Sequence, residues 1–158
     1  MIRQASPNFD NRPPGTAIDM LVLHYTGMPD RRAALDRLAD PAAKVSAHYV
    51  VDEDGTIFAL VDEERRAWHA GRSRWRGAAD VNDRSIGVEL VNPGHEFGYR
   101  DFPVLQMAAV FLAIFAVVRL DAVRPGFHGV GQLAGGHFRQ ALAEAERGVE
   151  LALRMLAC

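Results

Sequence analysis

With 158 residues, 49% apolar and 24% charged, the chain has the composition of a soluble globular protein. It is long enough to bury roughly two-thirds of its unfolded surface as one domain. A formal net charge of −2 offers no electrostatic footprint for nucleic acid or an anionic membrane, so neither is expected as a partner. The only cysteine is Cys158, which excludes an intramolecular disulfide and suits a reducing compartment.

The first 17 residues, rich in Pro, Asn and Gly, predict an irregular arm over the surface, and no export signal is read in "MIRQASPNFDNRPPG". "IDMLVLHY" is short, apolar and partly β-branched, which predicts a central strand ending near His24. "DRRAALDRLADP" carries Leu35 and Leu38 on one face among charges and predicts a short amphipathic helix closed at Asp40-Pro41. "SAHYVVDEDGTIFALVD" predicts two strands joined at Asp54-Gly55, a strong hairpin signal. "RAWHAGRSRW" has neither the strand nor the helix period and predicts a loop. "SIGVELVN" alternates Ile86, Val88 and Leu90 against Gly87 and Glu89 and predicts a further strand.

A helix is expected from about Pro103 to Leu120. Its uninterrupted apolar part, Met107 to Val118, is 12 residues, too short to cross a bilayer. A last amphipathic helix is expected over "RQALAEAERGVELALRMLA", weakened at Gly148. Strands with a helix inserted early and helices after them predict a single α/β domain with a central mixed sheet flanked by helices.

Six histidines occur: His24, His48, His69, His95, His128 and His137. His24 closes the predicted central strand, where ligands of α/β sheets tend to lie. Alternation turns Glu89 and Gly87 away from the face that carries Val88. A carboxylate there is either a solvent-facing strand residue or a general base whose pKa is raised by desolvation. Trp68 and His69 sit in an aromatic, hydrogen-bonding loop suited to a sugar or peptide ligand. The plainer alternative is that Trp68 plugs the core edge and His69 caps a turn.

"LVLHYTG", "KVSAHYVVDEDGTIFALVDEERRAWHAG", "SRWRG" and "DVNDRSIGVELVNPG" resemble, in order and spacing, the zinc-dependent N-acetylmuramoyl-L-alanine amidases of the amidase-2 type. These are relatives of the phage T7 lysozyme and of peptidoglycan recognition proteins, whose fold the chain is then expected to share. The resemblance runs over about residues 6–107 and is nearest the cytoplasmic branch that recycles anhydro-muropeptides. It implies hydrolysis of the amide between N-acetylmuramic acid and L-alanine of peptidoglycan fragments by zinc-activated water. It also implies His24 as first zinc ligand, Glu89 as the base, and Trp68 and His69 as lining a muropeptide cleft. His48 is matched in the family, with an internal hydrogen-bonding role as the simpler reading.

After about residue 107 the resemblance stops. The family ends its site with a segment like Gly-His-Ser-Asp-x-Ala-Pro-x-Arg-Lys-x-Asp-Pro-Gly, which supplies two more ligands and an oxyanion-stabilising lysine. Here the chain reads "AVRPGFHGVGQLAGGHFRQALAEAERGVELALRMLAC", with no aspartate after Asp121 and Lys44 as its only lysine. His128 is the candidate second zinc ligand, and His137, nine residues on across a glycine-rich loop, is a further one. Glu144, Glu146 and Glu150 read as a solvated helix face. So abrupt a change is what a reading-frame shift, fusion or truncation near residue 108 would leave, and the DNA in its three frames tests that. Three functions stay open on these residues: an amidase with an altered ligand set, a muropeptide-binding module, and a degenerate, inactive amidase.

Overall fold

The computed structural model describes residues 1–111 and the backbone of residues 128–131. The predicted central strand forms as β3, Met20–Tyr25, beside β9, Ser85–Leu90. Both are six residues long and buried almost throughout, as parallel strands covered on two faces must be. The expected hairpin forms from β4, Tyr49–Val51, and β5, Ile57–Ala59, with Gly55 at φ 85° in its turn. With β1, Ile2–Arg3, and β10, His128–Gly131, these make one mixed sheet in the order β1-β5-β4-β9-β3-β10. All neighbours pair in parallel except β4 with β5.

Alternation along these strands divides the sheet into two faces. Leu21, Leu23, Val51, Ile86, Val88 and Leu90 point to one side, where Ala109 and Val110 pack on them. These last two belong to a helix described over residues 104–111, the start of the one expected from Pro103. Its buried Gln106 donates from Nε2 to the Val51 and Val91 carbonyls at 2.9 Å, pinning the helix across two sheet strands. The opposite face carries His24, Glu89, Gly87, Val50 and Ser85. It is covered by helix α1, Arg31–Ala39, through Ala34, Leu35 and Leu38, and by the 65–75 segment. Asp30 caps α1 by accepting from the Ala33 amide at 2.9 Å.

The N-terminal arm is more regular than its composition suggests. Besides β1 it forms β2, Phe9–Asn11, antiparallel to β6, Arg65–Ala67. The latter strand, with the two-residue pair β7 (Arg74–Trp75) and β8 (Ala78–Ala79), also corrects the expectation that "RAWHAGRSRW" is loop throughout. These strands are too short for period 2 to show, and partners far away in the chain create them. A 3-10 turn over Val81–Arg84 and a one-turn helix over Gly94–Phe97 likewise gave no periodic signal.

The expected loop after His128 begins instead as strand β10. The rest of that loop, the helix beyond residue 111 and the last amphipathic helix lie outside the described residues.

Candidate functional site

The site lies where β3 and β9 end. In their parallel register His24 stands directly beside Glu89, so both side chains leave the same face of the sheet. Both are buried, at 0% and 2% exposure. In front of them opens a cleft of about 550 Å³, a size suited to a small-molecule or short-peptide ligand. Glu89, His69 and Asn82 line its floor, Trp68 and Arg66 one wall, and Met28, Leu38 and Val45 an apolar wall supplied by α1 and its flanks.

Three buried histidines pack behind the cleft. His24 Nε2 lies 3.0 Å from His69 Nδ1, and His69 Nε2 lies 3.1 Å from Ser85 Oγ, with the two rings edge to face. Burial, reinforced by the neighbouring His24 and His48, holds His69 well below the usual imidazole pKa. The ring fits because residue 87 is glycine. A Cβ there would fall 2.3–2.7 Å from the His69 ring atoms, inside any real contact distance.

His48 is the internal hydrogen-bonding residue expected. Its Nδ1 accepts from the Gly87 amide at 2.9 Å, and its Nε2–H donates to the Arg65 carbonyl at 3.1 Å. The Arg12 guanidinium nitrogen 3.1 Å from that same Nε2 meets a donor, so this is a contact and not a bond. Arg12 donates instead to the carbonyls of Glu63, Asn82, Asp83 and Ser85 at 2.8–3.0 Å. Burial lowers the His48 pKa to about 4, helped by the Arg12 charge. The unfolded chain therefore takes up a proton near pH 6.5 that the folded chain refuses until about pH 4. Stability is full above pH 6.5 and is lost as the pH falls. From His48 alone, urea unfolding should show a loss of about 2 kcal/mol between pH 6.5 and 5. A flat profile over that interval, above the carboxylate range, would contradict a buried neutral His48.

Trp68, half-buried, is held at both ends. Its amide donates to Ser46 Oγ at 2.9 Å, and its indole Nε1 to Asp10 Oδ2 at 2.8 Å. Asp10 also accepts from Arg66, which pairs in addition with Asp80 and Asp83 at 2.6 Å. Asn82 Oδ1 takes the amides of His69 and Ala70 at 3.1 and 2.9 Å and so sets the turn that aims both loop residues. Sequence reasoning missed Asp10, Arg12, Ser46, Asn82 and Ser85. Each is a polar residue outside any periodic pattern of polar positions, and nothing local announces the distant group it bonds.

The structure therefore places Glu89, Trp68 and His69 around one cleft, with His24 packed against His69 and beside Glu89 behind them. His128 begins β10 opposite Met20, four residues before His24 and so about 13 Å along the strand. His137 lies outside the described residues. Among the described residues, no three His, Cys, Asp or Glu side chains are arranged to hold a metal ion. They do supply donors of the right chemistry for zinc: the His24 imidazole, with the Glu89 carboxylate of the cleft floor beside it. No helix among them is long and apolar enough to cross a membrane.

Comparison with known proteins finds the Amidase_2 family model, described as N-acetylmuramoyl-L-alanine amidase, matching residues 14–140. The 1,6-anhydro-N-acetylmuramyl-L-alanine amidase AmpD of Escherichia coli K12 is 34% identical over 129 residues, covering 71% of this chain and 70% of that protein. AmpDh3 of Pseudomonas aeruginosa, solved in complex with anhydromuramic pentapeptide, superposes with a TM-score of 0.64 at 29% identity. That match covers 95% of this chain and 68% of the other. A mutant of Drosophila PGRP-LB shares the fold at 14% identity, with a TM-score of 0.58 over 82% of each chain.

Proposed function

The chain belongs to the N-acetylmuramoyl-L-alanine amidase family, and we propose that it hydrolyses the amide between N-acetylmuramic acid and L-alanine in peptidoglycan fragments. The observation that carries this reading is the pairing of His24 with Glu89 on one face of the sheet, at the floor of a cleft walled by Trp68. The relatives AmpD and AmpDh3, by name and by bound ligand, supply the chemical class of the substrate.

The cofactor we propose is zinc, with the His24 imidazole as one ligand and a residue of the tail as another: His137 is the candidate, because the pairing of His128 with Met20 sets it about 13 Å along the strand from His24. Bound zinc lowers the pKa of a coordinated water to about 7 and polarises a carbonyl, the two demands of amide hydrolysis at neutral pH. Glu89 accepts the proton of the attacking water and returns it to the departing L-alanine nitrogen. Trp68 offers its face to the muropeptide, and Asp10 and Ser46 keep the indole from turning away. His69, whose ring nitrogens are taken up by His24 and Ser85, meets the ligand only through the edge of its ring.

Incubation of the zinc-loaded chain with a soluble anhydro-muropeptide should release the free peptide stem, read by mass spectrometry. An intact substrate under those conditions would overturn the reading. Trp68→Ala should weaken muropeptide binding about tenfold by calorimetry, the loss of one aromatic contact; unchanged affinity would remove Trp68 from the site.

A second reading, binding without cleavage, is favoured by one observation: among the described residues no three His, Cys, Asp or Glu side chains are arranged to hold a metal ion. Zinc content after dialysis separates the two. About one ion per chain supports the enzyme and none supports the binder. A cytoplasmic setting and soluble fragments are the surroundings we infer, with the lone Cys158 compatible with reducing conditions. The family match extends to residue 140, and the lack of any aspartate after Asp121 is the reason to read the DNA around residue 108 in all three frames.

A further inference from the structure

The N-terminal arm meets the rest of the chain at every second residue. Its backbone lies along the sheet edge, where the Gln4 and Ser6 amides donate to the Ala59 and Leu60 carbonyls at 2.9 and 3.0 Å, and runs on into β2. Side chains of so extended a stretch alternate between two sides. Ala5, Pro7, Phe9 and Asn11 are exposed, whereas Ser6 and Asn8 are buried and Arg12 is half-buried.

The bonds made by Ser6, Asn8, Asp10 and Arg12 reach different parts of the frame of the cleft. Ser6 Oγ donates to the Leu38 carbonyl at 2.6 Å, near the end of α1. Asn8 Nδ2 donates to the carbonyls of Asp40 and Val45 at 2.8 Å and so closes the loop between them. Within that loop Lys44, which lines the cleft, is held at φ 51°, a left-handed backbone that a lysine adopts only under constraint. The Asn8 carbonyl accepts from Ser46 Oγ at 2.6 Å, and the same hydroxyl takes the Trp68 amide. Asp10 takes the Trp68 indole, and Arg12 gathers the Asn82, Asp83 and Ser85 carbonyls of the turn that supplies the floor.

We propose that residues 6–12 are a positioning strap. By bonding the apolar wall, the Trp68 wall and the Asn82 floor from one strand, they set the width of the cleft and through it the affinity for ligand. The width concerns this fold alone, whereas the ligand, a muropeptide, rests on the function proposed above.

Chain connectivity is the physical reason. The three parts of the frame lie in separate segments, within residues 38–46, 66–68 and 82–85, and the arm is bonded to each of them. Ser6, Asn8 and Arg12 do not line the cleft themselves, so they act through the groups they hold. His24 and Glu89 are set by the register of β3 with β9, in which the arm takes no part. Loosening the strap therefore moves the walls and leaves that pair in place.

The test is amide hydrogen exchange by NMR on the ¹⁵N-labelled full chain without ligand. In Asn8→Ala and in Arg12→Lys the amides of Trp68, His69 and Ala70 should exchange about tenfold faster, the worth of one hydrogen bond. The amides of Asp52 and Val91, bonded within the hairpin and across the sheet at 2.9 Å, should be unchanged. Arg12→Lys keeps the charge but offers one nitrogen where the guanidinium uses three. Asp10→Ala removes an exposed carboxylate, a change the fold survives, and should speed exchange of the Trp68 indole N–H. With the zinc-loaded chain and a soluble anhydro-muropeptide, Asn8→Ala should raise KM about tenfold and leave kcat within about twofold. Parental exchange at these cleft groups in all three variants overturns the strap. Equal acceleration at Asp52 and Val91 also overturns it, by making the arm a support of the whole fold, as does a fall in kcat at unchanged KM. A parent chain that cleaves no muropeptide overturns the proposed function instead, and the exchange data still decide the strap.

Discussion

Replacing Glu89 by Gln is expected to leave the fold intact and to reduce muropeptide hydrolysis about 10²- to 10⁴-fold, the range a positioned general base contributes. The change is isosteric, so no steric cost is added at a residue only 2% exposed. The register with His24 and Val50 is a backbone property and survives the substitution. Turnover at the parental rate would dismiss Glu89 as the base. Loss of cooperative unfolding would instead assign it a structural role.

His24→Ala is expected to lower zinc affinity by more than about 100-fold, beyond what the loss of an outer partner costs. Hydrolysis should fall with it. Zinc content by atomic absorption after dialysis against a weak chelator reads the effect directly. The parent should retain close to one ion and the variant almost none. Equal content in the two proteins would show that the ion sits elsewhere in the chain. His128→Ala and His137→Ala in the same assay identify which tail histidine takes part.

Much of this site was legible in the sequence because two of its residues lie on the strands with the clearest period. Ile86, Val88 and Leu90 alternate against Gly87 and Glu89, and the observed register puts Glu89 and His24 on the face that alternation assigns them. Asp54-Gly55 marks the hairpin because few other residue pairs suit its turn. Leu35 and Leu38 announce α1 by their spacing and are buried as that spacing requires. The described start of the helix after Pro103, with Ala109 and Val110 on the apolar face of the sheet, follows the same logic.

The supports of the site follow no such logic. Ser6, Asn8, Asp10 and Arg12 read as an irregular surface arm, yet each bonds a residue more than thirty positions away. β2 and β6 exist because they meet each other, and three-residue strands are invisible to periodicity. His69 reads as a loop histidine facing a ligand. Its neighbours turn out to be His24, 45 residues earlier, and Ser85, 16 residues later. Likewise His128, read as near the second ligand position from its place in the chain, has its backbone paired to Met20.

By itself the sequence determined the strands, the hairpin, α1, the face on which His24 and Glu89 stand, and the family resemblance, because side-chain period and turn chemistry are local. The tertiary structure alone decided which polar groups hold the site in place: the Asp10 grip on Trp68, the Asn82 clamp, the room Gly87 leaves for His69, and the contacts of His69 with Ser85 and His24. Those choices depend on distances of about 3 Å between residues far apart in the chain, and such distances exist only once the strands have packed.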